Sequence, residues 1–472
     1  MFEFDLYGHK YNHIHFIGIG GISMSGLAEI LLNKGYKVTG TDSKNSPIIQ
    51  RLISLGAHIY IKHSKNNIKG ADLIVYTDAI SSDNEELIAA YESGVLTVDR
   101  ATFLGALMKN YKYSIAVSGT HGKTTTTSMI ATITNNGNLN PTVLLGGRLD
   151  EIGGNVKLGS KDYILTEACE YKANILKYFP TMAIILNIDE DHLDYFKNMN
   201  HIVDTFVKYG KNLKPDSYLI INNDDAHSKD IIENTKAKVV TFGINKKSNY
   251  RAENITYSKE GYLNFILNIN DKENWPIKLH VIGKHNIYNA LASIAAAHLY
   301  GVSMEDIIKN IATYTGVHRR LEVKGYLNGA KIIDDYAHHP TEIKATLEAV
   351  KNTSNGGKIY CVFQPHTFTR TKILLDSFSE SFINSDEVII TDIYAAREYD
   401  NGEIHSKNLV DAINKKTSNA IYIATFKETE EYLANNIKSN DIVLTMGAGN
   451  VYLIGESLLN NSTKINKEKA AV

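Results

Sequence analysis

The chain has 472 residues, enough for roughly three domains at about 150 residues each, with several buried cores. Hydrophobic residues make up 43% and charged residues 22%, which is typical of a globular protein and excludes a disordered, collagen-like or membrane chain. Because 50 Lys and Arg nearly balance 52 Asp and Glu, the chain has no global basic field for nucleic acid or an anionic membrane. Any polyanion must therefore bind at a local site.

The chain begins with MFEFDLYGHK, which lacks the basic end and apolar stretch of a signal peptide. No later run reaches the roughly 18 apolar residues of a transmembrane helix. Two cysteines, Cys169 and Cys361, are too few for a disulfide framework and lack zinc-site spacing, which indicates core residues in a reducing compartment. We expect a cytoplasmic protein, a monomer or weak homodimer, that binds neither nucleic acid nor a membrane.

The first hundred residues alternate short apolar runs with helical patterns, from HIHFIGIG and SMSGLAEILLNKG to YKVTGTD and ADLIVYTDAI. This βαβ rhythm predicts a parallel sheet covered by helices. A second start follows at YSIAVSGTHGKTTTTSMIATITNNG, and a third after TGVHRRLE, where KIIDDYAHHP, KIYCVFQPH and DIVLTMGAG again alternate with helical segments. We therefore predict an α/β protein with three domains, at residues 1–107, 108–317 and 318–472.

The turn after the first predicted strand contains four glycines, Gly18, Gly20, Gly21 and Gly26. Residues without a Cβ let backbone N–H groups approach a diphosphate at a helix N-terminus, so this turn is a candidate phosphate loop. Asp42 ends the next strand, where a Rossmann protein holds a ribose hydroxyl. Ser23 stands where the dinucleotide pattern needs its third glycine, which disfavours a nicotinamide cofactor. A tight turn without any ligand stays the alternative.

A sharper phosphate-binding signal follows the first strand of the second domain: Ser118, Gly119, Thr120, His121, Gly122, Lys123, Thr124 and Thr125. In such a loop the amides surround the β- and γ-phosphates, the lysine neutralises them, and the next hydroxyl binds Mg²⁺. The strict pattern needs glycine at position 117, where this chain has Val117, so the loop is a shortened variant. The alternative is a Gly/Thr helix cap with an exposed lysine.

Further polar residues lie at predicted strand ends and at a helix start. Glu167 ends the strand DYILTEAC and Asp191-His192 follow MAIILNID, so a carboxylate and an imidazole could ligate Mg²⁺ beside the phosphate loop. Spacing alone is a weak signal among 17 histidines. His285-Asn286 and Asn289 open a later helix, where simple capping competes with recognition of a base.

Taken together, nine segments resemble the Mur ligase family over nearly the whole chain and in consistent order. They are GIGGISMSG, GTHGKTT, TEACEY, NIDEDHLDYF, GKHNIYNALA, HRRLE, DDYAHHP, FQPHTFTR and DIYAAREYDNGE. The resemblance implies Rossmann-like N- and C-terminal domains around a central P-loop ATPase domain. It also implies that ATP phosphorylates the lactyl carboxylate of UDP-N-acetylmuramate and that L-alanine attacks the acyl phosphate, as in the alanine-adding members.

The resemblance also assigns site residues. Gly18, Gly20, Gly21 and Asp42 would bind the UDP-sugar; Gly119, Thr120, His121, Gly122, Lys123, Thr124 and Thr125 would form the ATP loop. Thr124, Glu167 and His192 would serve two Mg²⁺ ions. ATP would also meet His285, Asn286 and Asn289 at adenine, Arg320 at phosphate and Asp335 at ribose. His338, His366 and Arg370 would lie on the amino-acid side, and Lys123, Glu167, His192, Arg320 and Arg370 would act in catalysis.

Three other functions stay open from the sequence. A murein peptide ligase would join a preformed tripeptide to the same UDP-sugar. A Rossmann oxidoreductase is disfavoured by Ser23 and by the separate ATP loop. A silent UDP-sugar-binding protein is disfavoured because Lys123, Glu167 and His192 are all present.

Overall fold

A computed structural model describes residues 2–135, 139–396 and 398–460 of the chain. It contains three sheets, which follow one another along the sequence. We call the regions that carry them the N-terminal, central and C-terminal domains. Each sheet is mainly parallel and is accompanied by helices, so the predicted α/β class is confirmed. The exact boundaries at residues 107 and 317 stay a prediction.

The N-terminal sheet has the order β3-β2-β1-β4-β5, and every pair in it is parallel. Its central strand is buried at all five positions, as expected where helices cover both faces. Ser46, Asn84 and Asp99 cap three of the helices through their side chains. The elements are β1 His13–Ile17, α1 Ile22–Asn33, β2 Lys37–Asp42, α2 Pro47–Ser54, β3 His58–Ile61, β4 Leu73–Tyr76, α3 Glu85–Glu92, β5 Leu96–Asp99 and α4 Arg100–Met108.

The central sheet has ten strands in the order β15-β14-β13-β12-β11-β10-β6-β9-β7-β8. The middle strands are parallel, and β8, β14 and β15 are added antiparallel. Its strands are β6 Tyr113–Ser118, β7 Pro141–Leu149, β8 Gly154–Lys157, β9 Ser160–Glu167, β10 Met182–Ile185, β11 Tyr218–Asn222, β12 Lys238–Gly243, β13 Tyr250–Tyr257, β14 Leu263–Ile269 and β15 Glu273–Lys278. Its helices are α5 Lys123–Asn135, α6 Met199–Asn212, α7 Ser228–Ile232, α8 His285–Leu299 and α9 Met304–Ile311, with 3₁₀ segments at Asp150–Ile152 and Tyr171–Lys177.

The C-terminal sheet has the order β16-β17-β21-β18-β19-β20, in which only β16 runs antiparallel to its neighbour. Its strands are β16 Glu322–Leu327, β17 Ala330–Asp335, β18 Ile359–Phe363, β19 Glu387–Ile390, β20 Ala420–Tyr422 and β21 Ile442–Met446. Its helices are α10 Pro340–Lys351, α11 Phe368–Ile373, α12 Leu375–Ser379, α13 Ser406–Asn414 and α14 Phe426–Asn436, and residues 452–460 are also helical.

Two local predictions were wrong. Gly26 lies inside α1 rather than in the turn; a Cβ there would lie 2.8 Å from Leu144 of the central domain, so the glycine lets the helix pack closely. Cys169, expected in the strand run DYILTEAC and in the core, follows β9 and is only half-buried, whereas Cys361 is a buried residue of β18, as expected. Among the described residues, no helix combines the length and the apolar character needed to cross a membrane.

Candidate active site

The predicted ATP loop joins β6 to α5. Gly119 and Gly122 have φ of +125° and +84°, in the region that favours glycine. A Cβ on Gly122 would lie 2.5 Å from Asn289 Oδ1, so the loop also packs too closely on α8 for any other residue. The N-terminus of the 13-residue helix α5 follows directly, and its free amides make an anion site.

Lys123 is held at the start of α5 with its ammonium group turned back on the loop. Nζ donates to the carbonyl oxygens of Gly119 at 2.5 Å and Thr120 at 2.9 Å, and lies 3.1 Å from Glu170 Oε2. Burial alone would lower the pKa of Lys123, but Glu170 raises it, so the side chain stays a cation. Glu170 is itself buried and was not singled out from the sequence.

Thr124, Glu167 and His192 surround the same helix start, as predicted for residues at neighbouring strand ends. Thr124 Oγ1 donates to Glu167 Oε2 at 3.1 Å, and the Gly146 N–H donates to Glu167 Oε1 at 2.6 Å. His192 has a left-handed backbone with φ +56°, and its Nε2 lies 3.6 Å from Glu170 Oε1. A hydroxyl and two carboxylates on one side of the loop fit Mg²⁺, which prefers oxygen ligands.

A cavity of about 1260 Å³ opens between the central and C-terminal domains beside this loop. His285 and the Asn286–Asn289 pair line it from α8, and Asn289 Nδ2 donates to Asn286 Oδ1 at 3.0 Å. Nδ1 of His285 is buried without a hydrogen-bond partner in the part of the chain that the structure describes. Burial lowers the pKa of His285 to about 4, so a neutral imidazole faces the cavity.

Arg320 and Asp335 line the same cavity from the C-terminal domain. The Arg320 guanidinium lies 5.1 Å from the centre of the Tyr336 ring. The Asp335 carboxylate accepts the N–H groups of Leu321 at 2.7 Å and Ala337 at 2.8 Å, and burial raises its pKa to about 6. The structure thus brings together all five residues predicted to reach ATP outside the loop, with Asp335 also shaping its own loop.

His121, predicted as an ATP-loop residue, points to the C-terminal domain. Its Nε2 lies 3.0 Å from Asp189 Oδ2, and its Nδ1 lies 3.2 Å from Glu342 Oε1 of α10. Burial alone would lower the pKa of His121, but hydrogen bonds to Asp189 and Glu342 raise it to about 9. Thr341 Oγ1 donates to the same Asp189 oxygen at 2.6 Å. An imidazolium between two carboxylates therefore joins the loop to the third domain.

The three residues predicted on the amino-acid side lie together at this junction. Arg370 donates from Nε and Nη2 to Asp191 Oδ1 at 3.2 and 2.9 Å, while its Nη1 lies 3.1 Å from His366 Nδ1. The rings of His338 and His366 meet edge to face at 5.8 Å. Arg370 is thus paired across the domain boundary with Asp191.

The glycine loop of the N-terminal domain is organised by Asp42. The Gly20 N–H donates to Asp42 Oδ2 at 2.9 Å, and a Cβ on Gly20 would lie 2.7 Å from the same oxygen. Gly18 has φ of +83°, and a Cβ on Gly18 would lie 2.6 Å from Thr77 Cγ2. The loop therefore needs glycine at both positions, and the remaining amides lead into the 12-residue helix α1.

Sequence reasoning missed several charged residues of the site: Glu170, Asp189 and Glu342. Glu170 and Asp189 lie inside the recognised segments TEACEY and NIDEDHLDYF, so the segments indicated the region without indicating these residues. Glu342 contacts His121 across 221 residues of sequence, which no local pattern reveals.

Comparisons with known proteins identify the family. Three family models match: "Mur ligase family, catalytic domain" at residues 13–112, "Mur ligase middle domain" at 117–297, and "Mur ligase, glutamate ligase domain" at 319–449. A UDP-N-acetylmuramate--L-alanine ligase of Caldanaerobacter subterraneus subsp. tengcongensis is 50% identical over 462 residues, which is 98% of this chain and 100% of the relative. Another from Clostridium tetani is 52% identical over 446 residues, 94% of this chain and 97% of that protein.

Among solved structures, a crystal structure of UDP-N-acetylmuramate-alanine ligase from Thermotoga maritima matches with a TM-score of 0.82 and 29% identity. The match covers 96% of this chain and 99% of that chain. The similarity therefore extends over all three sheets.

Proposed function

The chain belongs to the Mur ligase family, and we propose that it is an ATP-dependent ligase that joins L-alanine to the lactyl carboxylate of UDP-N-acetylmuramate, a step of peptidoglycan precursor synthesis. Its products are UDP-N-acetylmuramoyl-L-alanine, ADP and phosphate. The observation that carries this proposal is the sequence identity of 50% and 52% to two UDP-N-acetylmuramate--L-alanine ligases over nearly the whole chain. The buried, charged Lys123 at a phosphate loop supports it.

The reaction must bring two anions together, the substrate carboxylate and the γ-phosphate of ATP. Lys123 and Arg320 offset this repulsion and stabilise the charge on the transferring phosphoryl group. Lys123 now donates to two loop carbonyls and Glu170, so it is held near the position where phosphate oxygens replace those partners. His285, Asn286, Asn289 and Asp335 line a cavity large enough for a nucleotide, and we assign them to adenine and ribose.

Thr124, Glu167 and His192 would hold two Mg²⁺ ions, which supply positive charge between the γ-phosphate and the carboxylate. The hydrogen bond from Thr124 to Glu167 supports this assignment because the two oxygens already converge on one point. Glu167→Gln and His192→Ala should raise the Mg²⁺ concentration for half-maximal rate at least about tenfold. An unchanged Mg²⁺ titration in both variants would remove them from the metal site.

The acyl phosphate must be protected from water until the amine attacks. The C-terminal domain serves this purpose: its Arg370, which also contacts His366, closes on Asp191 next to His192. We assign Arg370 to the L-alanine carboxylate, with His338 and His366 beside it. Burial lowers the pKa of His338 to about 4, so it adds no positive charge there at neutral pH.

We assign UDP-sugar binding to residues 1–107 through Gly18, Gly20, Gly21 and Asp42, ATP binding to residues 108–317, and amino-acid binding and closure to residues 318–472. The two free cysteines, Cys169 and Cys361, support a reducing, cytoplasmic location. We propose that the protein is a monomer or a weak homodimer.

The test is phosphate release from ATP with UDP-N-acetylmuramate and either L-alanine or the tripeptide L-alanyl-γ-D-glutamyl-meso-diaminopimelate. L-Alanine should support turnover and the tripeptide should not. Preference for the tripeptide would replace this proposal with a murein peptide ligase. Phosphate release without the UDP-sugar would contradict both.

A further inference from the structure

Arg100 begins helix α4 at the carboxyl edge of the N-terminal sheet, the edge that also carries the glycine loop. Its partly buried guanidinium donates from Nη1 to Ser23 Oγ at 3.2 Å. Ser23 lies in the first turn of α1, directly after Gly18–Gly21. The cation is therefore held beside the predicted phosphate loop, although it lies some 80 residues away in the sequence.

Arg100 makes no direct ion pair among the residues that the structure describes, and the carboxylate that acts on it, Asp78, does so from a distance. The acids nearest along this edge are already neutralised: Asp78 lies 3.3 Å from Lys172 Nζ, and Asp99 lies 2.8 Å from Lys177 Nζ. By contrast, Arg51 of the same domain makes a two-pronged pair with Glu29, at 2.7 and 3.0 Å. Because a cation removed from water requires a countercharge, a guanidinium without an ion pair beside the glycine loop indicates an anionic ligand.

The fully buried Tyr178 hydroxyl interacts with the same guanidinium. Tyr178, Cys169 and Asp78 all lie close enough to raise the pKa of Arg100. Cys169 lies two residues after Glu167 of the proposed metal-binding trio, so Arg100 is near both the glycine loop and the residues proposed for phosphoryl transfer.

We propose that Arg100 binds the diphosphate of the UDP-sugar, together with the amides of the glycine loop and Ser23. The inference rests on the function proposed above and adds a side-chain cation to a site that otherwise offers backbone groups. A guanidinium presents two parallel N–H groups that match two phosphate oxygens. Holding the diphosphate here leaves the lactyl carboxylate free to reach Lys123.

The test is calorimetric binding of two probes, UDP-N-acetylmuramate and UDP-N-acetylglucosamine, which lacks the lactyl carboxylate. Arg100→Gln should weaken both probes at least tenfold and by similar factors, and Arg100→Lys should recover part of the loss. The KM values for ATP and L-alanine should change less than twofold. Arg51→Gln is the matched control, because that arginine already has an internal carboxylate, and it should leave both affinities unchanged.

Affinities within twofold of wild type in Arg100→Gln would overturn the proposal. Weakened binding of UDP-N-acetylmuramate alone would also overturn it, because Arg100 would then hold the carboxylate. Should the Gln variant fail to fold by circular dichroism, the Lys variant decides by the same criterion, since a diphosphate ligand requires a measurable loss there too. Failure of the wild-type enzyme to bind either UDP-sugar would contradict the proposed function instead.

Discussion

The N-terminal and C-terminal domains meet the central domain through different kinds of contact. One continuous apolar core includes Phe103 of the N-terminal domain and Leu144 and Ile185 of the central domain. The C-terminal domain has its own cores, and ion pairs such as Arg370–Asp191 and His121–Glu342 join it to the central domain.

This difference separates a permanent contact from a reversible one. Apolar burial depends little on pH and is not screened by salt. Ion pairs between domains weaken at high salt, and they are lost when pH changes the charge of one partner. We infer that the first two domains form one block that carries both phosphate loops, and that the third docks and releases. Such a division suits a ligase that must admit three substrates and then exclude water.

The largest effect is expected from Lys123→Ala, which removes the cation from the loop that we propose binds ATP without touching either domain contact. Ligation should fall on the order of 10³-fold or more. The Kd for UDP-N-acetylmuramate should stay within twofold, because its loop lies on another sheet of the block. Steady-state kinetics measure the ligation rate and calorimetry measures the Kd, with Lys238→Ala as the control variant. Joint loss of activity and UDP-sugar binding would show that the two loops are not independent.

The apolar contact can be broken with Gly105→Ala. A Cβ at Gly105 of α4 would lie 2.1 Å from the backbone oxygen of Lys177 in the central domain, so the two elements must separate. We expect destabilisation of about 1–3 kcal/mol or more, seen as a lower midpoint in urea unfolding. The matched control is Gly210→Ala in α6, where the added atom would lie 2.9 Å from the movable Ile231 Cγ2. Equal midpoints in both variants would contradict the close contact.

The polar contact can be weakened with Arg370→Lys, which keeps the charge but loses the planar fork. The KM for L-alanine should rise at least about tenfold, since a charge-assisted bond to its carboxylate supplies most of the affinity. ATP and UDP-sugar KM values should change little. Lys372→Arg, in the same helix and paired with Glu403, is the control. An unaltered L-alanine KM would restrict Arg370 to its pair with Asp191.

The smallest effect concerns pH. Hydrogen bonds to Asp189 and Glu342 raise the pKa of His121 to about 9, above the ordinary value of about 6.5 for a released imidazole. The docked state is therefore fully favoured by this proton below about pH 6.5, and the advantage is lost as pH rises through 9. Small-angle scattering at low salt should show the radius of gyration rising over this range.

His121→Gln should remove the pH dependence of docking, whereas His227→Gln, remote on the central domain, should preserve it. A radius that is flat with pH in the wild-type protein would mean that the imidazolium does not control docking.

The sequence predicted features that depend on neighbouring residues and missed those that depend on distant ones. The glycine loop before α1 and the loop Gly119–Gly122 were both located, because strand, glycines and helix are adjacent in the chain. Glu170 lies 47 residues from the lysine it pairs with, and Arg100 lies 77 residues from Ser23. Pairs at such separations are set by the packing of whole domains, which periodicity does not encode.

The most direct test of the central claim follows the oxygen atoms of the lactyl carboxylate. With UDP-N-acetylmuramate carrying ¹⁸O in both carboxylate positions, phosphorylation of the carboxylate predicts one ¹⁸O in the released phosphate for each L-alanine joined. The other ¹⁸O should remain in the new amide, as measured by mass spectrometry. Unlabelled phosphate together with product formation would contradict carboxylate activation by ATP, and with it the mechanism assigned to Lys123 and its neighbours.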